Sequence, residues 1–203
     1  MIPRVLTLMR TAKISEERKQ QLEQANKELE ILYERLADAL EQSEQRYDNL
    51  AEAIAAFERT LIAPGRFDRL FAGRQNALTT REKRGLAKFI RYRCVECHSW
   101  ATVGGRLYHM IGQHHPYGDK DDLGRYEITK KEEDRYVFKV PSLRNVTRTP
   151  PYFHDGRVPN LKEAVRLMGW LQLDRHLTRG DIADLIAFLG TLEGNPPPVE
   201  EPR

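Results

Sequence analysis

Cysteine is nearly absent from this 203-residue chain: Cys94 and Cys97 are the only two, so a disulfide framework is excluded and the pair reads as a site. No apolar run approaches the roughly eighteen residues that a spanning helix needs, which excludes a membrane bundle and predicts no membrane span. A dominant charge is also missing. Lys and Arg number 33 against 30 Asp and Glu, and the net +3 is too small to point to nucleic acid as a partner. Charged residues at 31% and hydrophobic ones at 40% are ordinary for a folded chain and exclude a wholly disordered one. The length fits one domain with an appendage, or two small domains.

Proline and glycine are absent between Pro3 and Pro64, and strong helix formers fill the interval. Leu22, Leu29 and Leu36 fall seven apart with Ala25, Leu32 and Ala39 between them, about three heptads. Two readings follow: self-association as a short coiled coil, or one amphipathic helix folding back on its own domain. Nine acids and five bases between Ile14 and Arg46 make a solvated face. A second helical stretch is expected from Tyr47 to Ile62, packed through Leu50, Ile54, Phe57 and Leu61 and stopped by Pro64-Gly65.

Beyond it, Thr79 and Glu82 form a capping-box pattern that opens a helix through Leu86 and Phe89 toward the cysteines. From Gly104 to Pro159 no period is sustained, and Gly, Pro, Asp and aromatic residues predict loops wrapped around something. Helices return at Asn160, with Glu163 three residues on, and at Thr178, with Asp181 three residues on. The expected divisions are a helical extension over residues 1–46, a domain over 47–194 and a Pro-rich tail over 195–203.

Cys94-Val95-Glu96-Cys97-His98 carries the chemistry. Two thiols one helical turn apart can add to the two vinyl groups of a haem, and the next imidazole then falls under the iron. A structural zinc site would want a second Cys or His pair at ligand spacing, and a thioredoxin-type dithiol would follow a strand; neither context is present. One covalent haem c also supplies the template that the long loop requires. Tyr108, Tyr117, Tyr126, Phe138, Tyr152 and Phe153 could pack against it, although each alone reads more readily as an ordinary core residue. For the sixth iron position, spacing favours Met168, seventy residues after His98 on a capped helix, with His154 as the rival. Met110 follows His98 by only twelve residues, and Met1 and Met9 lie in an unpatterned segment. His109, His114, His115 and His176 read as exposed or supporting residues.

The pieces Ala55–Leu61, Phe67-Asp68-Arg69, the CxxCH unit, Gly124–Thr129, Val140–Val146, Thr149–Gly156, Ala164–Gly169 and Ile182–Leu189 together resemble one family. It is the bacterial di-haem cytochrome c peroxidases and their relatives that mature methylamine dehydrogenase. The resemblance runs over residues 47–194 and is to the C-terminal, high-potential haem domain. It implies an all-α cytochrome c-like domain with long wrapping loops, preceded here by the long helix or short coiled coil. It further implies His98 as proximal and Met168 as distal ligand, and a calcium ion held partly by the Thr149 and Pro151 carbonyls. In that family peroxide is reduced at a second haem with its own CxxCH, which this sequence does not contain.

The expected function is one-electron transfer through a His/Met haem, exchanged with a small soluble donor protein. One alternative is a share in peroxide reduction with a partner that supplies the missing peroxidatic haem; another is a coiled-coil haem redox sensor. Haem attachment to CxxCH implies the periplasm. The only early apolar run, residues 5–9, is shorter than a secretory core of about 7–15 residues, so no clear signal peptide is read, and a start lying upstream or a rearranged N-terminus is expected.

Overall fold

The structure, a computed structural model, describes residues 2–99, 101–118 and 121–195, with side chains from residue 16 onward; most of the expected Pro-rich tail lies outside these. It is an all-α architecture whose only sheet, among the described residues, is a two-stranded ribbon. The chain separates into two compact units, one ending at Arg59 and the other starting at Thr60.

The first unit is α1 (Ile2–Thr60), one helix of 59 residues. With no proline or glycine to break the ladder, it passes the expected boundary at residue 46 without interruption and stops ahead of Pro64-Gly65. The stretch expected to be packed is open: Leu50, Ile54 and Phe57 are 55%, 49% and 51% exposed. Helical periodicity reports which residues share a stripe, and it does not report what covers the stripe.

The second unit is built on α2 (Arg66–Phe71), α3 (Thr80–Arg91), α5 (Leu161–Leu173) and α6 (Arg179–Leu189), with a single turn, α4 (Tyr126–Thr129), in the long loop. Helices α3 and α6 form its centre. Phe89 and Tyr92 meet Leu185, Phe188 and Leu189, joined by Val103 and Leu192. The Phe188 ring lies 5.1 Å from Phe89 and 5.3 Å from Phe67. A large side chain buried this fully stabilises by roughly 1.5–3 kcal/mol. The helices approach so closely at Gly85 that a Cβ there would sit 2.0 Å from the Asp184 carbonyl oxygen.

The expected caps are present. The Thr79 hydroxyl accepts from Glu82 N at 3.3 Å while Glu82 accepts from Thr79 N at 2.7 Å, and Thr178 with Asp181 repeats the arrangement. Asn160 accepts from Glu163 N at 2.9 Å and starts α5. The long loop contains one element that residue patterning did not show: β1 (Tyr108–Met110) pairs antiparallel with β2 (Val137–Lys139), His109 opposite Phe138. Strands of three residues are too short to display a period of two.

Arg144 fastens the loop to the helices. Its Nη1 and Nη2 donate to the Asp68 carboxylate at 2.8 and 2.6 Å, Nη1 also reaches the Ala63 carbonyl at 3.2 Å, and Nε donates to the Ala101 carbonyl at 2.7 Å.

Asp184, on α6, faces three cations of α3. Lys88 Nζ lies 2.9 Å away, Arg81 3.2 Å and Arg84 3.4 Å. Lys88 first, then Arg84, hold its carboxyl well below the usual range. A carboxylate whose pKa falls on folding stabilises above its unfolded value near 3.9, and that contribution disappears as pH falls through the folded value. Asp184→Asn therefore lowers Tm at pH 7, and the deficit against wild type shrinks below about pH 4. Thermal unfolding across pH checks this; a deficit of constant size from neutral to strongly acid pH would show that the charge contributes nothing.

Candidate functional site

The cysteines leave α3 through a sharp reversal. Arg93 adopts the left-handed conformation (φ 67°), Cys94–Glu96 make a 3-10 turn, and His98 N donates to the Cys94 carbonyl at 2.9 Å. Both the imidazole and the Cys94 sulfur are thereby carried to one cavity.

That cavity has two adjoining lobes that share part of their lining. The first is walled by Phe89 and Tyr92, by Leu185 and Leu189 of α6, and by Ala164, Val165 and Met168 of α5. The second contains Cys97, Phe138 and His154, with Arg93, His109, Lys139 and Gln172 among its polar lining residues. Cys94, His98, Pro141, Phe153, Met168 and Leu173 line both. The structure thus brings together Cys94, Cys97, His98 and Met168, the four residues singled out in the sequence.

The rival positions differ. His154 lines the second lobe only, its ring stacked on Phe138 at 3.9 Å. Met110 lies on β1, 39% exposed, and lines neither lobe. Met1 and Met9 lie outside the described side chains. Of the six loop aromatics, Tyr152, Phe153 and Phe138 line the cavity. Tyr117 instead stacks on Phe153 and donates to Asp155, Tyr126 lies under the Arg135 guanidinium, and Tyr108 is 55% exposed. His115 and His176 stack on Trp170 at 3.4 and 4.4 Å. Thr149 and Pro151 flank a cis Pro150–Pro151 bond on an exposed turn, and no group of three His, Cys, Asp or Glu among the described residues could hold a metal ion.

Burial keeps the thiols and the imidazole of the site uncharged. Burial pushes the Cys94 thiol up to about 11 and raises Cys97 too, with Glu96 adding to the latter. Burial also lowers His98, against the opposing pull of the Pro141 and Val103 carbonyls, so the imidazole is neutral at pH 7 with a lone pair to offer. His98 Nδ1 is sealed from solvent and lacks a partner at normal hydrogen-bond geometry. A side chain held in that state suits a ring positioned for a ligand at its other nitrogen. The apolar cavity, the thiol pair, the neutral imidazole and a thioether in the same lining fit a covalently attached haem.

Gly104 and Pro141, which the sequence did not single out, shape this arrangement. Gly104 has φ +120°, and a Cβ there would lie 2.1 Å from the Pro141 carbonyl oxygen and 3.0 Å from His98 Nδ1. Only the Gly104-Gly105 pair hinted at a special backbone.

No protein-family model matches the chain. Cytochrome c551 peroxidase of Nitrosomonas europaea is 42% identical over 171 residues, covering 83% of this chain and 51% of the relative. Cytochrome c551 peroxidase of Pseudomonas aeruginosa is 42% identical over 164 residues, 77% of this chain and 46% of the relative. The chain belongs to the bacterial di-haem cytochrome c peroxidase family. Methylamine utilization protein MauG of Methylophilus methylotrophus, 33% identical over 178 residues, covers 79% of this chain and 50% of its own. The crystal structure of a MauG-like protein associated with microbial copper homeostasis superposes with a TM-score of 0.55 at 26% identity, over 64% of this chain and 48% of that one. This peroxidase-family chain thus spans about half the length of the curated relatives it matches.

Gly104→Ala puts a side chain into a strained conformation and against His98, a cost of about 1–3 kcal/mol from each source. The variant is expected to load less haem and melt earlier than wild type, measured by haem content per chain and by thermal unfolding. Equal loading and Tm would show that the close approach is dispensable.

Proposed function

We propose that the chain is a c-type cytochrome domain of the di-haem peroxidase type, carrying one haem tethered at Cys94 and Cys97 and ligated by His98 and Met168. The observation that carries the reading is the one apolar cavity lined by all four side chains, Met168 reaching both lobes. The domain is the compact unit from Thr60, within the expected span 47–194. When bound, the haem supplies a one-electron redox centre, and a thioether ligand keeps its potential high.

The protein's own residues do the rest. The turn at 93–98 fixes thiols and imidazole as one piece, and the Gly104–Pro141 approach holds the His98 ring. Helix α5 presents Met168, while Phe89, Leu185 and Leu189 exclude water from the pocket and so set the dielectric around a bound redox centre. A small soluble protein is the expected donor, meeting the domain through a weak, transient interface. Covalent attachment assigns the domain to the periplasm, and no helix among the described residues is long and apolar enough to cross a membrane. Calcium at Thr149 and Pro151 stays an expectation of the family.

The names of the relatives favour a second reading, a share in peroxide reduction. Breaking an O–O bond needs an open iron position with acid and base groups beside it, and a His/Met site offers none. The chain has a single CxxCH, so in this reading the peroxidatic haem comes from another polypeptide or another part of a longer one.

Matured protein should give one haem per 23.6 kDa chain by pyridine haemochrome. Met168→His should lower the reduction potential in a spectroelectrochemical titration. A count of two, or a variant with wild-type spectrum and potential, would sink the assignment. Peroxide turnover with a reduced cytochrome should be negligible for the chain alone; rapid turnover would favour the second reading.

A further inference from the structure

Helix α1 carries a longer seam than the three heptads of Leu22, Leu29 and Leu36 suggest. Continuing their seven-residue step, Ser43, Leu50 and Phe57 occupy the same row. Four residues after each d-type leucine stand Asn26, Tyr33 and Leu40, and the second row goes on through Tyr47 and Ile54. The two rows alternate in steps of three and four over five heptads, with nine large apolar residues, one Asn and one Ser. A strict 3.5-residue period of this length is the signature of a left-handed supercoil rather than of a straight helix lying on a globular core. All nine apolar residues are between 48% and 68% exposed.

We propose that this seam is a parallel two-stranded coiled coil with a second copy of the chain. Four features select that occupant. Leucine holds four of the six d-type positions, and a lone Asn, Asn26, stands in the a-type row, where a single polar residue fixes register and strand number. The flanks are asymmetric: Glu23, Glu30, Glu44 and Glu58 lie on one side of the seam, and the other side has no acid between Arg18 and Thr60. An antiparallel pair would set acid against acid, whereas a parallel pair sets the acidic flank against the acid-free one, with Arg18 opposite Glu23. The area suffices as well. Nine half-exposed side chains leave roughly 100 Å² each in water, about 900 Å² per helix against the ≈ 800 Å² per partner of a specific interface. Finally, the seam is about 55 Å of uninterrupted helix.

The test uses the haem-loaded full chain. Light scattering is expected to give twice the 23.6 kDa chain mass at micromolar concentration. Leu36→Glu with Leu40→Glu should halve that mass while leaving the haem spectrum unchanged, since both residues lie far along α1 from the cysteines in sequence. Ser43→Cys, on the seam, should oxidise to a covalent dimer, and Gln45→Cys, on the opposite face, should not. A single-chain mass for wild type, a mass of three or four chains, or a complex with another polypeptide overturns the proposal. So does a double variant that stays dimeric. A dimer in which Ser43→Cys fails to cross-link overturns the parallel register.

Discussion

The backbone contact between α3 and α6 at Gly85 governs the second unit. With no side chain between the helices, Phe89 and Tyr92 reach across to Leu185, Phe188 and Leu189, and the end of α3 is held against a fixed support. Cys94 follows that end by three residues, so the thiol turn inherits its position from the helix crossing rather than from the loop that comes after it. A site that must hold two sulfurs and one imidazole to within fractions of an ångström needs such a rigid origin.

Charge on α3 and α6 is directed away from the lobe that these helices wall. The cations Arg81, Arg84 and Lys88 are drawn outward to Asp181 and Asp184, while the cavity side of the same helices presents Phe89, Leu185 and Leu189. Two depressed carboxylates and an elevated lysine thus lie outside the pocket, and inside it the raised thiols and the lowered imidazole are all uncharged. A low-dielectric pocket of this kind strengthens whatever field a bound metal centre experiences and makes buried ions costly there.

The helices of the second unit and their starts could be read in advance because caps are local: Thr79, Asn160 and Thr178 each act on an amide three residues away. The thiol turn was legible for the same reason. Met168 could be proposed from its spacing, yet its place in the same cavity as His98 depends on how α5 packs, which no local pattern encodes. Gly104 and Pro141 were silent, since their role comes from a contact 37 residues apart in sequence. The ribbon β1–β2 is too short to show a period, and the apolar stripe of α1 at Leu50, Ile54 and Phe57 looks the same in sequence whatever its exposure.

Arg144 joins two segments distant from it along the chain, through the Ala63 carbonyl and Asp68 carboxylate of one and the Ala101 carbonyl of the other, with its side chain only 9% exposed. Each bond leaves a different nitrogen or direction of one flat fork. A lysine concentrates its donors on one nitrogen and cannot match acceptors spread around a planar fork, nor pair both oxygens of Asp68 side by side. This position is consequently closed to the commonest basic exchange, and drift in the surrounding loop is confined to changes that keep all three acceptors within reach of one guanidinium.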